Sequence, residues 1–276
     1  MTKVALIYDF DKTLCTKDMQ NYSLIPSLGY DNAAEFWSEV TELTKANKMD
    51  SNGAYLYTLH KKFKEQGTPL HKSMFTDIGK HIVFFPGVES WFERINEIGK
   101  EKGLEVEHYI ISSGMHEIIE NTSIAKYFKK IYACRYYYED DYAIWPAQLV
   151  NYTTKTQYIF RINKQVLDET DDSELNKYID FDKRPIPFEH MIYIADGFTD
   201  IPCMRLVKEY NGHSIAVYNP ESKKAKDVAI SLIEDGRANF MAPSNYCEDS
   251  DIEIIVKKIF EKINTALYLK GLEGVR

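Results

Sequence analysis

The sequence predicts an α/β protein: a doubly wound parallel sheet with a helical segment inserted after the first strand and a small β-hairpin further on. Three observations carry this. Short continuous apolar runs recur along the chain, helical patterns separate them, and one stretch of about seventy residues breaks the alternation with helical patterns alone.

The first run, Val4-Ala5-Leu6-Ile7-Tyr8, has the unbroken apolar character of a strand buried on both faces. Similar runs stand at His108-Tyr109-Ile110-Ile111, Met191-Ile192-Tyr193-Ile194-Ala195 and Ser214-Ile215-Ala216-Val217. Between them, Trp91, Ile95 and Ile98 share a helix face that stops at Gly103; Tyr158, Ile162 and Val166 define a second, and Val228 and Leu232 a third. A capping box of Ser250 and Glu253 opens a last helix that turns Ile252, Val256, Ile259 and Ile263 inward.

From 15 to 85 the patterns are helical. Phe36, Val40 and Leu43 mark the first helix, and Leu56, Leu59 and Phe63, ending at Gly67, the second. The third is capped by Thr68 with Pro69 in its first turn, and carries Leu70, Met74 and Ile78. This predicts a core made of 1–14 and 86–276 with a small helical domain, 15–85, over the sheet edge. The tyrosine-rich stretch 131–152, turning at Glu139-Asp140-Asp141, reads as a hairpin within the core.

Composition limits the function. The 276 residues carry a net charge of -8, so general electrostatic attraction to nucleic acid is not expected, and Lys61, Lys62 and Lys64 read as a solvated helix face. Cys15, Cys134, Cys203 and Cys247 lie far apart, with neither zinc spacing nor a disulfide framework. The opening apolar run is cut short by Asp9, too early for a leader or a membrane span. A soluble cytoplasmic protein with no membrane or nucleic-acid partner is the expectation.

The chemistry gathers where strands end. Asp9-Phe10-Asp11-Lys12-Thr13 follows the first run, and two carboxylates one residue apart in extended chain project the same way. Ligands of open α/β sheets bind outside the carboxyl ends of the strands. Ser112-Ser113-Gly114 ends another run, offering a hydroxyl and free N–H groups at a helix start, as phosphate sites do. Asp196-Gly197-Phe198-Thr199-Asp200 ends a third. Each has a bland reading: solvated aspartates, a common strand-to-helix turn, a helix cap. Together they bring four carboxylates and a phosphate cradle to one sheet edge, a crowding that calls for a hard cation such as Mg²⁺.

Asp9-x-Asp11-x-Thr13, the apolar run ending in Ser112, a lysine, and Asp196-Gly197-x-x-Asp200 resemble, in order and across most of the chain, the four motifs of the haloacid dehalogenase superfamily. The helical segment after the first motif and the hairpin before the lysine make the phosphoserine-phosphatase-like branch the nearest in pattern. The resemblance implies a Rossmann-like core with a mobile cap, and Mg²⁺-dependent hydrolysis of a small-molecule phosphate ester. It implies Asp9 as nucleophile and Asp11 as general acid and base. Ser112 and the Ser113 N–H, with Gly114, would hold the phosphate, and Asp9, the Asp11 carbonyl and Asp196 the metal, with Asp200 in support. The motif lysine is Lys155 or, further along the same helix, Lys164; Lys155 is favoured, the acidic segment 168–187 reading as an insertion that separates it from Asp196.

Asp11 argues against dehalogenation, whose enzymes in this family lack the second aspartate. A phosphotransferase or mutase of the same fold, and a non-catalytic phosphate-binding protein, are the competing readings. For the substrate, Asp18 stands nine positions after Asp9, where phosphoserine phosphatases place an acid for the substrate amine; a surface aspartate is the bland alternative. Those enzymes also use a cap arginine, whereas the first arginine here is Arg94, leaving Lys45 or Lys48 as substitutes. Phosphoserine is therefore expected to be a poor substrate. Tyr22, Trp37, Tyr55 and Tyr57 are core residues or the lining of a pocket for a larger ligand.

Overall fold

A computed structural model describes residues 1–273. In chain order the strands are β1 (Thr2–Tyr8), β2 (Leu104–Met115), β3 (Phe128–Glu139), β4 (Tyr142–Gln148), β5 (Met191–Ala195), β6 (His213–Tyr218) and β7 (Phe240–Pro243). They form one sheet in the order β4-β3-β2-β1-β5-β6-β7, parallel throughout except for the β3–β4 hairpin. The helices are α1 (Leu24–Ser27), α2 (Ala33–Asn47), α3 (Ser51–Glu65), α4 (Lys72–Lys80), α5 (Val88–Glu101), α6 (His116–Ile119), α7 (Lys155–Lys164), α8 (Asp172–Asn176), α9 (Ile201–Glu209), α10 (Lys223–Glu234) and α11 (Asp251–Glu273). The predicted doubly wound α/β sheet is what the chain forms.

The four apolar runs are β1, β2, β5 and β6, and Val4 to Tyr8 and Met191 to Ala195 are wholly buried. That follows from helices packing over the sheet: α5 against β2 and α11, and α7 against α9, which lies on β5 and β6. Gly87 opens α5 with φ +81°, and a Cβ there would meet the Cys247 backbone nitrogen at 2.3 Å, so the chain turns into α5 at a point only glycine fits. Among the described residues no helix is long and apolar enough to cross a membrane.

Several sequence expectations shift. β7 went unpredicted because four residues give no measurable period. The hairpin strand β3 begins at Phe128 and pairs parallel with β2 before it turns, so it continues the main sheet instead of standing apart. Its turn falls at Asp140 and Asp141, both at positive φ (49° and 64°), as a two-residue hairpin turn demands. The helix expected from Thr68 starts at Lys72 with His71 as cap. Leu70 O accepts from Ala143 N and Lys72 N donates to Asp141 O, so tertiary bonds to the hairpin override the local Thr-Pro signal. Val166 lies past the end of α7, which Gln165 closes in the left-handed conformation. The Ser250 cap is present, but Glu253 does not reach back to the Ser250 N–H; buried, it binds Arg94 and Lys257.

One buried polar chain fixes β1 to β2 and α5. Trp91 Nε1 donates to Tyr8 Oη (2.8 Å), Tyr8 lies 3.0 Å from His108 Nδ1, and His108 Nε2 lies 2.9 Å from Asn96 Oδ1. With the ring neutral, the hydrogen placement that satisfies all three puts the proton on Nε2, donating to Asn96, and lets Nδ1 accept the Tyr8 hydroxyl proton. Burial holds this imidazole down to about pKa 3. An unfolded histidine titrates near 6.5, so the stability His108 contributes is intact above that pH and falls as pH drops towards 3. Between pH 7 and 5 the wild type is expected to lose ~2 kcal/mol more than His108→Gln, read by denaturant unfolding at each pH. Equal losses in the two proteins would refute the neutral, buried imidazole.

Candidate active site

Three strand ends build the site. β1 ends at Tyr8, and the Asp9 N–H continues the ladder onto Ile194 O of β5 (3.0 Å), which fixes the loop carrying Asp9 and Asp11. Lys12 then turns the chain back at φ 56°. β5 releases Asp196, and Asp200 lies one helical turn on, fully buried at the start of α9. From β2 come Ser112, Ser113 and Gly114. They still lie within the strand; α6 begins only at His116, so the expected helix start sits two residues further on.

Lys155 and not Lys164 reaches this place. Its Nζ lies 3.0 Å from Asp9 Oδ1 and 2.6 Å from Asp200 Oδ1, with Lys155 1% exposed and Asp200 0%. Tyr193 donates to the same Asp200 oxygen (2.6 Å). Lys164 Nζ instead donates to Leu175 O and Lys177 O, tying down the inserted segment around α8. Carboxylate oxygens of Asp9, Asp196 and Asp200 all lie within 4.8 Å of one another.

The electrostatics are those of a cluster short of positive charge. Burial, then repulsion from Asp200, pushes the Asp9 carboxyl up to about 6, although Lys155 pulls it down. Asp196 is raised by burial, Asp9 and Asp200. Burial opposes the charge on Lys155, but Asp200 and Asp9 outweigh it and hold the ammonium above its ordinary value. An all-oxygen donor set with this unrelieved repulsion fits a hard divalent cation.

Asp11 faces differently. Its Oδ1 accepts from Met19 N (2.9 Å), and its carboxyl is pushed well up by burial and by Asp18 and Asp9. Met19, which nothing in the sequence singled out, links two parts of the site. Its backbone holds Asp11, its Sδ accepts from Met115 N (3.0 Å), and a Cβ on Gly114 would meet its Cε at 2.1 Å. Ser112 Oγ accepts from Gly114 N (3.0 Å), fixing the hydroxyl.

Asp9, Asp11, Ser112, Ser113, Gly114, Lys155 and Asp196 line a cavity of about 360 Å³ whose remaining wall includes Gln20, Trp37, Asn52 and Tyr55. Trp37 and Tyr55 thus take the pocket reading; Tyr57 borders a separate groove beside Trp145, and Tyr22 bonds to Thr16 and Val83. Asp18 also borders the cavity but holds Lys12 Nζ, 2.7 Å from each carboxylate oxygen. Lys45 and Lys48 are not on its wall.

The parallel sheet with acids from β1 and β5 and a buried lysine between them defines a class: the chain has the haloacid dehalogenase fold in its phosphoserine-phosphatase-like form. Phosphoserine phosphatase in its apo form matches at TM-score 0.57 and 17% identity, over 93% of this chain and 98% of that one. A HAD family hydrolase from Salmonella enterica subsp. enterica serovar Typhi matches at 0.55 and 16%, over 86% of this chain and 66% of that one. No protein-family model matches. The chain is 30% identical over 277 residues to an uncharacterized protein of Borreliella burgdorferi, covering 90% of this chain and 93% of its relative, and it belongs to the same family as that protein.

Proposed function

We propose that this protein is a phosphomonoesterase that hydrolyses a small-molecule phosphate ester through a phosphoryl group carried on Asp9. The observation that carries this reading is the buried Lys155 ammonium shared by Asp9 and Asp200, with Asp196 alongside. A structural ion pair would leave its carboxylates paired and relaxed; here two of the three acids stay raised, by burial first and by mutual repulsion second, beside an open cavity.

In this reading the Asp9 carboxylate attacks phosphorus while the alcohol leaves with its oxygen, and Asp11 protonates that oxygen. The raised carboxyl of Asp11 suits a group that must hold a proton at neutral pH. Asp11 then takes a proton from the water that cleaves the aspartyl-phosphate, releasing inorganic phosphate and restoring Asp9. Splitting the displacement in two lowers each barrier. Lys155 offsets the phosphoryl charge, and Ser112 Oγ with the Ser113 N–H binds its oxygens. Mg²⁺, held by Asp9, Asp196 and the Asp11 carbonyl with Asp200 behind them, would supply Lewis-acid relief of the repulsion between Asp9 and a phosphate dianion. The helices of 15–85 would act as a cap, excluding water during transfer.

Phosphate release from an aryl phosphate is expected to vanish in EDTA and return with Mg²⁺. Asp196→Ala should raise the Mg²⁺ concentration for half-maximal rate at least tenfold as well as lower the rate. Activity that zinc supports and Mg²⁺ does not would overturn the metal assignment, since the donor set offers neither histidine nor cysteine.

A further inference from the structure

Beyond the acids, the lysines and the Ser112-Ser113-Gly114 segment, the cavity is lined by Gln20, Trp37, Asn52 and Tyr55 on one part and by Gly197, Phe198 and Thr199 on another, and none of these carries a charge. Lys12 and Lys155 are the cations lining the cavity among the described residues, and both are engaged: Lys155 by Asp9 and Asp200, Lys12 by Asp18 through both carboxylate oxygens. An ammonium brought to Asp18 would stand beside Lys12, and a carboxylate brought to Lys12 would stand beside Asp18. A free amino or carboxyl group on the substrate therefore finds no unopposed partner.

The aromatic residues do not form a cage for a cation either. Tyr55 is 2% exposed; its ring packs on Trp37 at 5.4 Å and edge-on to Phe36 at 6.4 Å, and the residue borders the cavity. The Tyr55 hydroxyl accepts from Gln20 Nε2 (3.0 Å), and its own proton has no acceptor among the described residues. Asn52 donates to Val150 O (2.8 Å), fixing its amide and leaving Oδ1 as an acceptor. The wall thus offers a hydroxyl donor, amide acceptors and an indole: the chemistry that binds alcohols.

We infer that Gln20, Trp37, Asn52 and Tyr55 form a leaving-group subsite for a neutral, hydroxyl-bearing alcohol, so that the preferred substrates are phosphate esters of uncharged polyols or sugars. Asp18 serves there as the counter-ion of Lys12. The inference rests on the phosphomonoesterase reading, and methyl phosphate, too small to reach this wall, reports the core chemistry separately.

With Mg²⁺ present, glycerol 3-phosphate or glucose 6-phosphate is expected to exceed phosphoserine, phosphoethanolamine and methyl phosphate at least tenfold in kcat/KM, a preference of about 1.4 kcal/mol. Tyr55→Phe should reduce kcat/KM for the best neutral ester tenfold more than for methyl phosphate. Asp18→Asn, by freeing Lys12, should raise 3-phosphoglycerate relative to glycerol 3-phosphate at least fivefold. Phosphoserine or phosphoethanolamine ranking first, or Tyr55→Phe lowering methyl phosphate and the neutral ester alike, overturns the subsite and leaves the phosphatase reading standing. Calorimetric titration of Asp9→Asn with the same esters separates the opposite case. Tighter binding of neutral esters without any turnover by the wild type would overturn the phosphatase reading and sustain the subsite.

Discussion

Asp9→Asn is expected to retain less than about 1% of the wild-type rate, because an amide cannot serve as the nucleophile that splits the displacement into two steps. The same variant should be at least as stable as the wild type when both are unfolded in EDTA. The direction follows from the raised carboxyl: burial and Asp200 make the ionised Asp9 unfavourable in the folded protein, so a neutral isostere removes a penalty. Loss of activity together with loss of fold would point to a structural role. A variant checked for deamidation and still above about 1% would show that another group attacks phosphorus.

Lys155→Met is expected to damage both activity and fold, and the two can be separated. Lys155 is 1% exposed and supplies the countercharge to Asp9 and Asp200, so its removal leaves buried carboxylates facing one another. Breaking a buried pair from one side costs about 3–5 kcal/mol, and the loss should appear in denaturant unfolding without Mg²⁺. Adding Asp200→Asn removes one of the stranded charges and is expected to recover at least about 1 kcal/mol of that stability. Activity should remain at least about a thousandfold down in the double variant, since the charge proposed to meet the phosphoryl oxygens is still missing. Recovery of both together would make Lys155 a structural lysine only.

How much of this was legible in the residues depends on how local each signal is. β1, β2, β5 and β6 announce themselves because helices cover both sheet faces and leave nearly continuous apolar runs, in which His108 and Ser214 are buried polar exceptions. The acids of the site follow directly, since each sits where such a run stops. Lys155 was harder. Its distance from Asp196 along the chain is set by an insertion, and only the fold shows that Lys164 is spent on the carbonyls of Leu175 and Lys177. The start of α4 falls later than Thr68-Pro69, a good local helix signal, suggests, because the bonds from Leu70 and Lys72 reach a hairpin about seventy residues further along the chain. Met19 is invisible for a related reason: its contacts with Asp11 and Met115 exist only once the loop after β1 folds against β2. The pairing of Lys12 with Asp18 needed only six residues of separation, but a lysine beside two aspartates reads equally well as a solvated loop.

The central claim, that a phosphoryl group passes through Asp9, is tested most directly by trapping it. An Asp11→Asn variant cannot activate water, and with an aryl phosphate, whose leaving group departs without help from an acid, phosphorylation should outrun hydrolysis. Acid quenching followed by borohydride reduction converts an aspartyl-phosphate to homoserine, which peptide mass spectrometry locates. The account predicts homoserine at position 9, at a level approaching one per chain and absent without substrate or Mg²⁺. Homoserine at a different aspartate, or one equivalent of aryl alcohol released with Asp9 unmodified at every quench time, would contradict it.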